Sequence, residues 1–215
     1  MLHALISQRQ ELNKYGDSID SLETTYVKFF NSLNVSLVSV PNLNDNLEKV
    51  ADFKLLILSG GGIISNEHYR YNVLGFHQNE RNAVEHRLIS LCLKRGIPIV
   101  GICRGMHQLN AYFGGKVSSF EDLIYPRHVR SDHPIRLLDS KKVVYVNNFH
   151  QDGIMNSDLG AGLYPVAIDP DNLTIEAFRS EKYNILGIQW HPERHTETED
   201  GYKVGKELIL SVIHK

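Results

Sequence analysis

Ile97-Pro98-Ile99-Val100-Gly101-Ile102-Cys103-Arg104-Gly105-Met106 decides how this chain is read. An apolar, β-branched run opened by a Gly-Ile-Pro turn predicts a buried strand over 97–102, and a helix-like run follows over 106–113. Between them stands a cysteine with glycine two positions before and two positions after. This is the thiol form of the sharp strand-to-helix turn that exposes a nucleophile. With glycine at about 7% of residues, both flanks are glycine by chance for roughly 0.5% of cysteines. A buried structural cysteine is the alternative, and it leaves strand before and helix after unexplained. The reactive species is the thiolate, and a helix N-terminus favours it through the dipole and the first N–H groups. Those N–H groups, beginning at Arg104, can also stabilise a developing oxyanion.

Working outward, apolar strand-sized runs at 2–6, 35–40 and 55–58 alternate with amphipathic stretches at 22–33 and 80–94. Continuous apolar strands separated by helices predict an α/β fold, a doubly wound, mostly parallel central sheet of the flavodoxin-like kind. After Gly115 short strand-like runs at 143–147, 164–168, 174–178 and 184–189 follow one another across tight turns, which predicts antiparallel C-terminal additions. A helix over about 202–213 closes the chain. No linker, repeat or low-complexity tract interrupts the sequence, so residues 1–215 read as one domain. Such sheets bind ligands beyond the carboxyl ends of their strands, here just after Leu58, Ile102 and Gln189.

Each of those positions carries chemistry. Gly187-Ile188-Gln189-Trp190-His191-Pro192-Glu193 ends a strand eighty-eight positions beyond the cysteine. Pro192 favours an extended His191, and residues two apart in an extended segment face one side. Glu193 is then placed to fix one imidazole nitrogen while the other meets Cys103. Leu58-Ser59-Gly60-Gly61-Gly62 turns main-chain N–H groups toward a ligand; without a following Gly-Lys-Ser/Thr it is no phosphate loop, and a plain structural turn is its alternative. Cys92, on an apolar helix face, reads as core.

Composition narrows the classes. The 215 residues hold 23 Lys plus Arg against 25 Asp plus Glu, a formal charge of -2, without the basic footprint of a nucleic-acid binder. No apolar run approaches the roughly 20 residues of a membrane helix. Two cysteines exclude a disulfide scaffold and any zinc-ligand spacing, and with no secretory pattern at the start they suggest a cytoplasmic protein. Eleven histidines are the one oddity, but no His-Glu-x-x-His motif occurs, so no metal is expected.

Together these residues resemble the class I glutamine amidotransferase-like superfamily, and within it the γ-glutamyl hydrolase and γ-glutamyl-amide hydrolase branch. The likeness runs in order through Arg81-Asn82 with Glu85, Gly101 to Met106, Asn110, Gly114-Gly115, Val146-Asn147-Asn148-Phe149-His150-Gln151 and Gly187 to Glu193. The resemblance implies a Cys103–His191–Glu193 triad, an oxyanion hole from the N–H groups of Gly61 and Arg104, and a γ-glutamyl thioester hydrolysed by water. It implies no cofactor and a small γ-glutamyl substrate, and it allows a homo-oligomer. By the same resemblance Gly60, Gly62, His150 and Gln151 are substrate-binding candidates, or else structural. One position departs: where amidotransferases usually carry a Gln that holds free glutamine, this chain has His107, which either reads an adapted pocket or packs against its helix.

Two reactions fit. A glutaminase subunit would feed ammonia to a separate synthase partner; a stand-alone hydrolase would cut a γ-glutamyl bond to a larger amine. Tyr125-Pro126-Arg127-His128-Val129-Arg130 with His133 and Arg136, and His68-Tyr69-Arg70-Tyr71, form basic segments. If they line the cleft mouth, with Arg127 as a binding residue, they suit an anionic leaving group over a polyamine; otherwise they are solvated charge. The branch includes hydrolases of γ-glutamyl nucleotide-linked phosphoramidates that serve capsule modification, and the basic segments resemble that group. Thiol chaperone and deglycase relatives usually carry His where Arg104 stands, and the complete set of Cys103, His191 and Glu193 speaks against a catalytically dead sensing module.

Overall fold

The computed structural model describes residues 1–43, 53–76, 78–119, 129–196 and 199–215. In chain order the elements are β1 (Leu2–Ser7), β2 (Arg9–Leu12), β3 (Ser18–Ser21), α1 (Thr24–Ser32), β4 (Val35–Val40), β5 (Leu55–Leu58), α2 (Asn79–Arg95), β6 (Ile99–Ile102) and α3 (Arg104–Tyr112). There follow β7 (Ser118–Ser119), β8 (Asp132–Leu137), β9 (Val143–Asn147), β10 (Asp152–Met155), β11 (Leu163–Ile168), β12 (Thr174–Ser180), β13 (Ile185–Ile188) and α4 (Asp200–Ile213).

The main sheet runs β4-β1-β5-β6-β13-β12-β11-β8-β9. Its first five strands are parallel, and from β13 onward each neighbour is antiparallel. This is the mixed, doubly wound architecture expected from the alternation of apolar strands and helices. The pleat divides the core. Ala4, Ile6, Leu55, Ile57, Val100, Ile102, Leu186 and Ile188 face α1 and α4. Leu5, Leu56, Leu58, Ile99 and Ile185 face α2 and α3. Successive strand residues point to opposite faces, so a strand such as Leu55-Leu56-Ile57-Leu58 must be apolar throughout to be covered on both sides.

Three elements depart from the sequence reading. Arg9 to Ser21 forms a β2–β3 hairpin turned at Gly16 (φ 87), hidden in the sequence by its charged and polar residues. β10 was not legible either. His133 and Arg136, expected in a basic loop, lie on β8: His133 is buried at 1% exposure, and Arg136 points out of the sheet away from the cleft. Pro134 and the charges around it mask a strand that alternates inward His133 and Ile135 with outward neighbours. No helix among the described residues is long and apolar enough to cross a membrane.

Candidate active site

Cys103 joins β6 to α3 at φ 53, ψ -112, a conformation L-residues rarely adopt. The flanking glycines are required by close backbone approach. A Cβ on Gly101 would stand 2.5 Å from the Gly105 carbonyl oxygen, and one on Gly105 would stand 2.1 Å from that of Leu58. The first turn of α3 thus sits directly on β5 and β6 and aims its N-terminus at the cysteine. The Cys103 N–H donates to Ile188 O at 2.7 Å, tying the turn to β13.

His191 leaves the carboxyl end of β13 beside it. Its backbone is clamped by Asn147, whose amide nitrogen donates to His191 O at 2.8 Å and whose Oδ1 accepts the His191 N–H at 2.9 Å. Nδ1 lies 2.5 Å from Glu193 Oε1. The pairing expected between positions 191 and 193 is present, but the route differs. Pro192–Arg194 is a tight 3-10 turn rather than an extended segment, so a fold-back brings the carboxylate under the ring. Burial opposes a charge on His191, but Glu193 and the hydrogen-bonded Cys103 outweigh it and raise its pKa to about 9.

The triple glycine divides its tasks. Gly61 (φ 85) and Gly62 (φ 79) line the cleft in backbone conformations that suit glycine. Gly60 does not line it. Its N–H donates to the Tyr26 hydroxyl at 2.8 Å, its carbonyl accepts from Arg81, and a Cβ there would stand 2.7 Å from His191 Cε1. Gly60 thus acts as a spacer beside the His191 ring, with both its polar groups engaged inside the protein.

Beneath the loop, Arg81 reaches the carbonyls of Ser59 and Gly61 at 2.6 and 2.8 Å, and its Nε meets Glu85 Oε1 at 2.9 Å. Arg104 binds the other Glu85 oxygen and Asn82. Only the Arg104 main chain faces the chemistry. Its side chain, buried at 1% exposure, points into this network. The Arg81, Asn82 and Glu85 segment thereby holds the glycine loop and the cysteine turn in register.

The cleft has a volume of about 610 Å³. His107, His150 and Gln151 all line it, as expected. His107 Nε2 contacts Gln189 Oε1 at 2.7 Å, and the Gln189 amide nitrogen lies 4.0 Å from Cys103 Sγ. His150 Nδ1 pairs with Asp152 O at 2.8 Å, and burial pushes its pKa down to about 3. Arg127 lies outside the described residues. The basic stretch at 68–71 does not face the cleft. Arg70 makes a two-pronged pair with Asp158 at 2.6 and 2.7 Å, and the Tyr69 hydroxyl donates to Asp152 at 3.0 Å. Among the described residues, Arg9, on the β2–β3 hairpin, and Arg194, whose guanidinium lies 4.5 Å over the Phe149 ring, line it with Arg104. Arg9 and Arg194 both contact Glu23. Sequence reasoning missed them because one sits on an unrecognised hairpin and the other one residue beyond the expected catalytic pair.

The Peptidase C26 family model matches residues 3–193. The chain is 38% identical over 141 residues to a gamma-glutamyl-CDP-amidate hydrolase of Campylobacter jejuni, covering 66% of this chain and 62% of that protein's length. It is 29% identical over 199 residues to a putative glutamine amidotransferase-like protein of Lactococcus lactis, with 81% of each covered. Among solved structures, a glutamine amidotransferase from Thermotoga maritima superposes with a TM-score of 0.63 at 18% identity, covering 98% of this chain and 84% of that one. At that identity the likeness speaks to fold alone. The family model, which spans most of the chain and both ends of the cleft, settles kinship: the chain belongs to the Peptidase C26 family.

Proposed function

We propose that the protein hydrolyses a γ-glutamyl amide through a thioester on Cys103. The observation that carries this reading is the left-handed turn at Cys103 beside an imidazole held at 2.5 Å by Glu193. Cys103 Sγ attacks the γ-carbonyl carbon as a thiolate paired with protonated His191. The carbonyl oxygen becomes an oxyanion that the Gly61 and Arg104 N–H groups stabilise. His191 passes its proton to the amide nitrogen, the C–N bond breaks, and the amine departs. Water then gives a proton to His191 and attacks the thioester, and glutamate leaves as the thiol is restored. Glu193 keeps the imidazole in the tautomer that serves both steps.

The leaving group in this reading is a nucleotide-linked phosphoramidate of the γ-glutamyl-CDP-amidate type, used in the cytoplasm for capsule modification. The name of the Campylobacter relative supports it, and so do Arg9 and Arg194 at the cleft, since guanidinium groups suit phosphate. His107, in place of the usual Gln, weighs against free glutamine. The test is glutamate release from γ-glutamyl adducts of a nucleotide phosphoramidate, a polyamine and glutamate, compared with L-glutamine. Preference for the phosphoramidate, lost in Cys103→Ala, is expected. Turnover of free glutamine alone would overturn the substrate assignment and point to a glutaminase serving a separate synthase.

A further inference from the structure

Charge is distributed unevenly around the cleft. Arg9 and Arg194 bring guanidinium groups to it, whereas Asp152 supplies the one carboxylate among its described lining residues. Asp152 opens β10 and is half-buried, on a strand paired with β7 and β12. Contacts from the Cys103 sulfur lead to the two kinds of charge by separate routes. One passes through Gln189 to His107. Burial pushes the pKa of His107 down and Asp152 is the first charge to oppose it, so the carboxylate lies within electrostatic reach of that ring. The other route passes through His191 to Phe149, whose rings stand 5.7 Å apart, and from Phe149 to Arg194.

The Asp152 carboxylate is held in place at one oxygen. Oδ2 accepts the Tyr69 hydroxyl at 3.0 Å, and the Asp152 main-chain carbonyl accepts from His150 Nδ1 at 2.8 Å. Oδ1 accepts no hydrogen bond from any described residue. A carboxylate fixed on a cleft wall with one oxygen unspent favours a cationic donor on the ligand and repels an anion. A γ-glutamyl group carries such a donor. With its carbonyl carbon at Cys103, two methylenes lead to an α-carbon that bears an ammonium group.

We propose that Asp152 binds the α-ammonium of the γ-glutamyl group, with Tyr69 as the positioning residue that fixes the carboxylate. The assignment rests on the γ-glutamyl hydrolase reading and adds a direction and a restriction to it. The glutamyl end points toward β10 and the leaving group toward Arg9 and Arg194, because a phosphate beside Asp152 would meet like charge. The restriction is a free α-amino group: an acyl chain without it leaves Oδ1 unpaired. Asp152 touches substrate here but moves no proton.

The test compares pairs of amides that differ only in the α-amino group. The γ-glutamyl adduct of a nucleotide phosphoramidate is set against its glutaryl counterpart, and L-glutamine against glutaric monoamide. For whichever γ-glutamyl amide is cleaved, the parent enzyme should favour it over its des-amino partner about 100-fold in kcat/KM. Asp152→Asn keeps the shape and removes the charge. It should lower kcat/KM for the γ-glutamyl member at least about tenfold, mainly through KM, and leave the glutaryl member unchanged. Tyr69→Phe keeps the charge but frees it, and should weaken the preference about threefold. The parent's own preference is read without any substitution. Equal turnover of the two members by the parent, or an equal loss on both in Asp152→Asn, would overturn the assignment and leave γ-glutamyl hydrolysis standing. No Cys103-dependent hydrolysis of either γ-glutamyl amide would overturn the hydrolase reading, and this inference with it.

Discussion

Arg81 and Glu85, one helical turn apart on α2, form an ion pair at 2.9 Å that solvent does not reach. Arg104 occupies the second Glu85 oxygen, so one carboxylate neutralises two buried guanidinium groups. Removing it leaves like charges together in a dry interior. Glu85→Gln should therefore cost about 3–5 kcal/mol, read as a lowered urea midpoint. Glu67→Gln, on a 76% exposed side chain, should stay within about 0.5 kcal/mol. Equal losses in the two variants would show that the Glu85 network contributes nothing special.

Gly60→Ala should separate activity from stability. The new methyl meets His191 Cε1 at 2.7 Å and must push the imidazole off its line to Cys103. A displacement of about 1 Å in a reacting group costs about 100-fold in kcat. Gly162→Ala is the control: its φ of 72 makes the substitution strained, but a Cβ there meets open space. It should lower stability by about 1 kcal/mol and leave kcat alone. A Gly60→Ala enzyme with unchanged kcat would remove the spacer role.

In the proposed thioester mechanism the pKa of His191 sets the alkaline limit. Because the folded value of about 9 exceeds the ordinary 6.5, the imidazolium persists until pH rises through 9. Above that the proton for the departing amine is lost, so kcat/KM should fall with an apparent pKa near 9. The same shift contributes stability that is fully present below about pH 6.5 and is lost as pH rises through 9. Glu193→Gln removes the carboxylate that raises the value. It should move the alkaline limb downward and flatten the stability decline between those limits. A limb unmoved in Glu193→Gln would assign it to another group.

Gln189→Leu tests the amide beside the sulfur. Its Nε2 lies 4.0 Å from Cys103 Sγ and is oriented by His107. A hydrogen bond to a thiolate is worth at least about 1.4 kcal/mol, or tenfold. Iodoacetamide should then alkylate Cys103 about tenfold more slowly at neutral pH in the variant. Unchanged alkylation would reduce Gln189 to packing.

Arg9→Ala and Arg194→Ala address the leaving group. Both side chains line the cleft and are partly exposed, at 28% and 24%. Each should raise KM about tenfold for an anionic phosphoramidate and leave a neutral γ-glutamyl anilide unaffected. Equal effects on both substrates would place them with the glutamyl moiety.

What the sequence disclosed follows physical lines. Leu55-Leu56-Ile57-Leu58 and Ile99 to Ile102 are apolar on both pleat faces and announce central strands, while Gly101 and Gly105 announce the turn around Cys103. Elements whose stability comes from distant partners were not legible. The hairpin bearing Arg9 has no apolar period. His133 reads as a basic loop residue until Asp169 and Glu176 are seen beside it. Glu85 sits on α2 among other charged residues, and only the fold reveals that Arg104 is its partner.

The place of β13 has a consequence for the order in which the protein comes into being. This strand lies between β6 and β12 in the finished sheet, yet almost all of the chain precedes it. A chain leaving the ribosome carries Cys103 for more than eighty residues before His191 is made. During that interval Cys103 has neither His191 nor the Ile188 carbonyl that anchors its turn. The thiol therefore meets the His191 imidazole only when β13 slots home between β6 and β12.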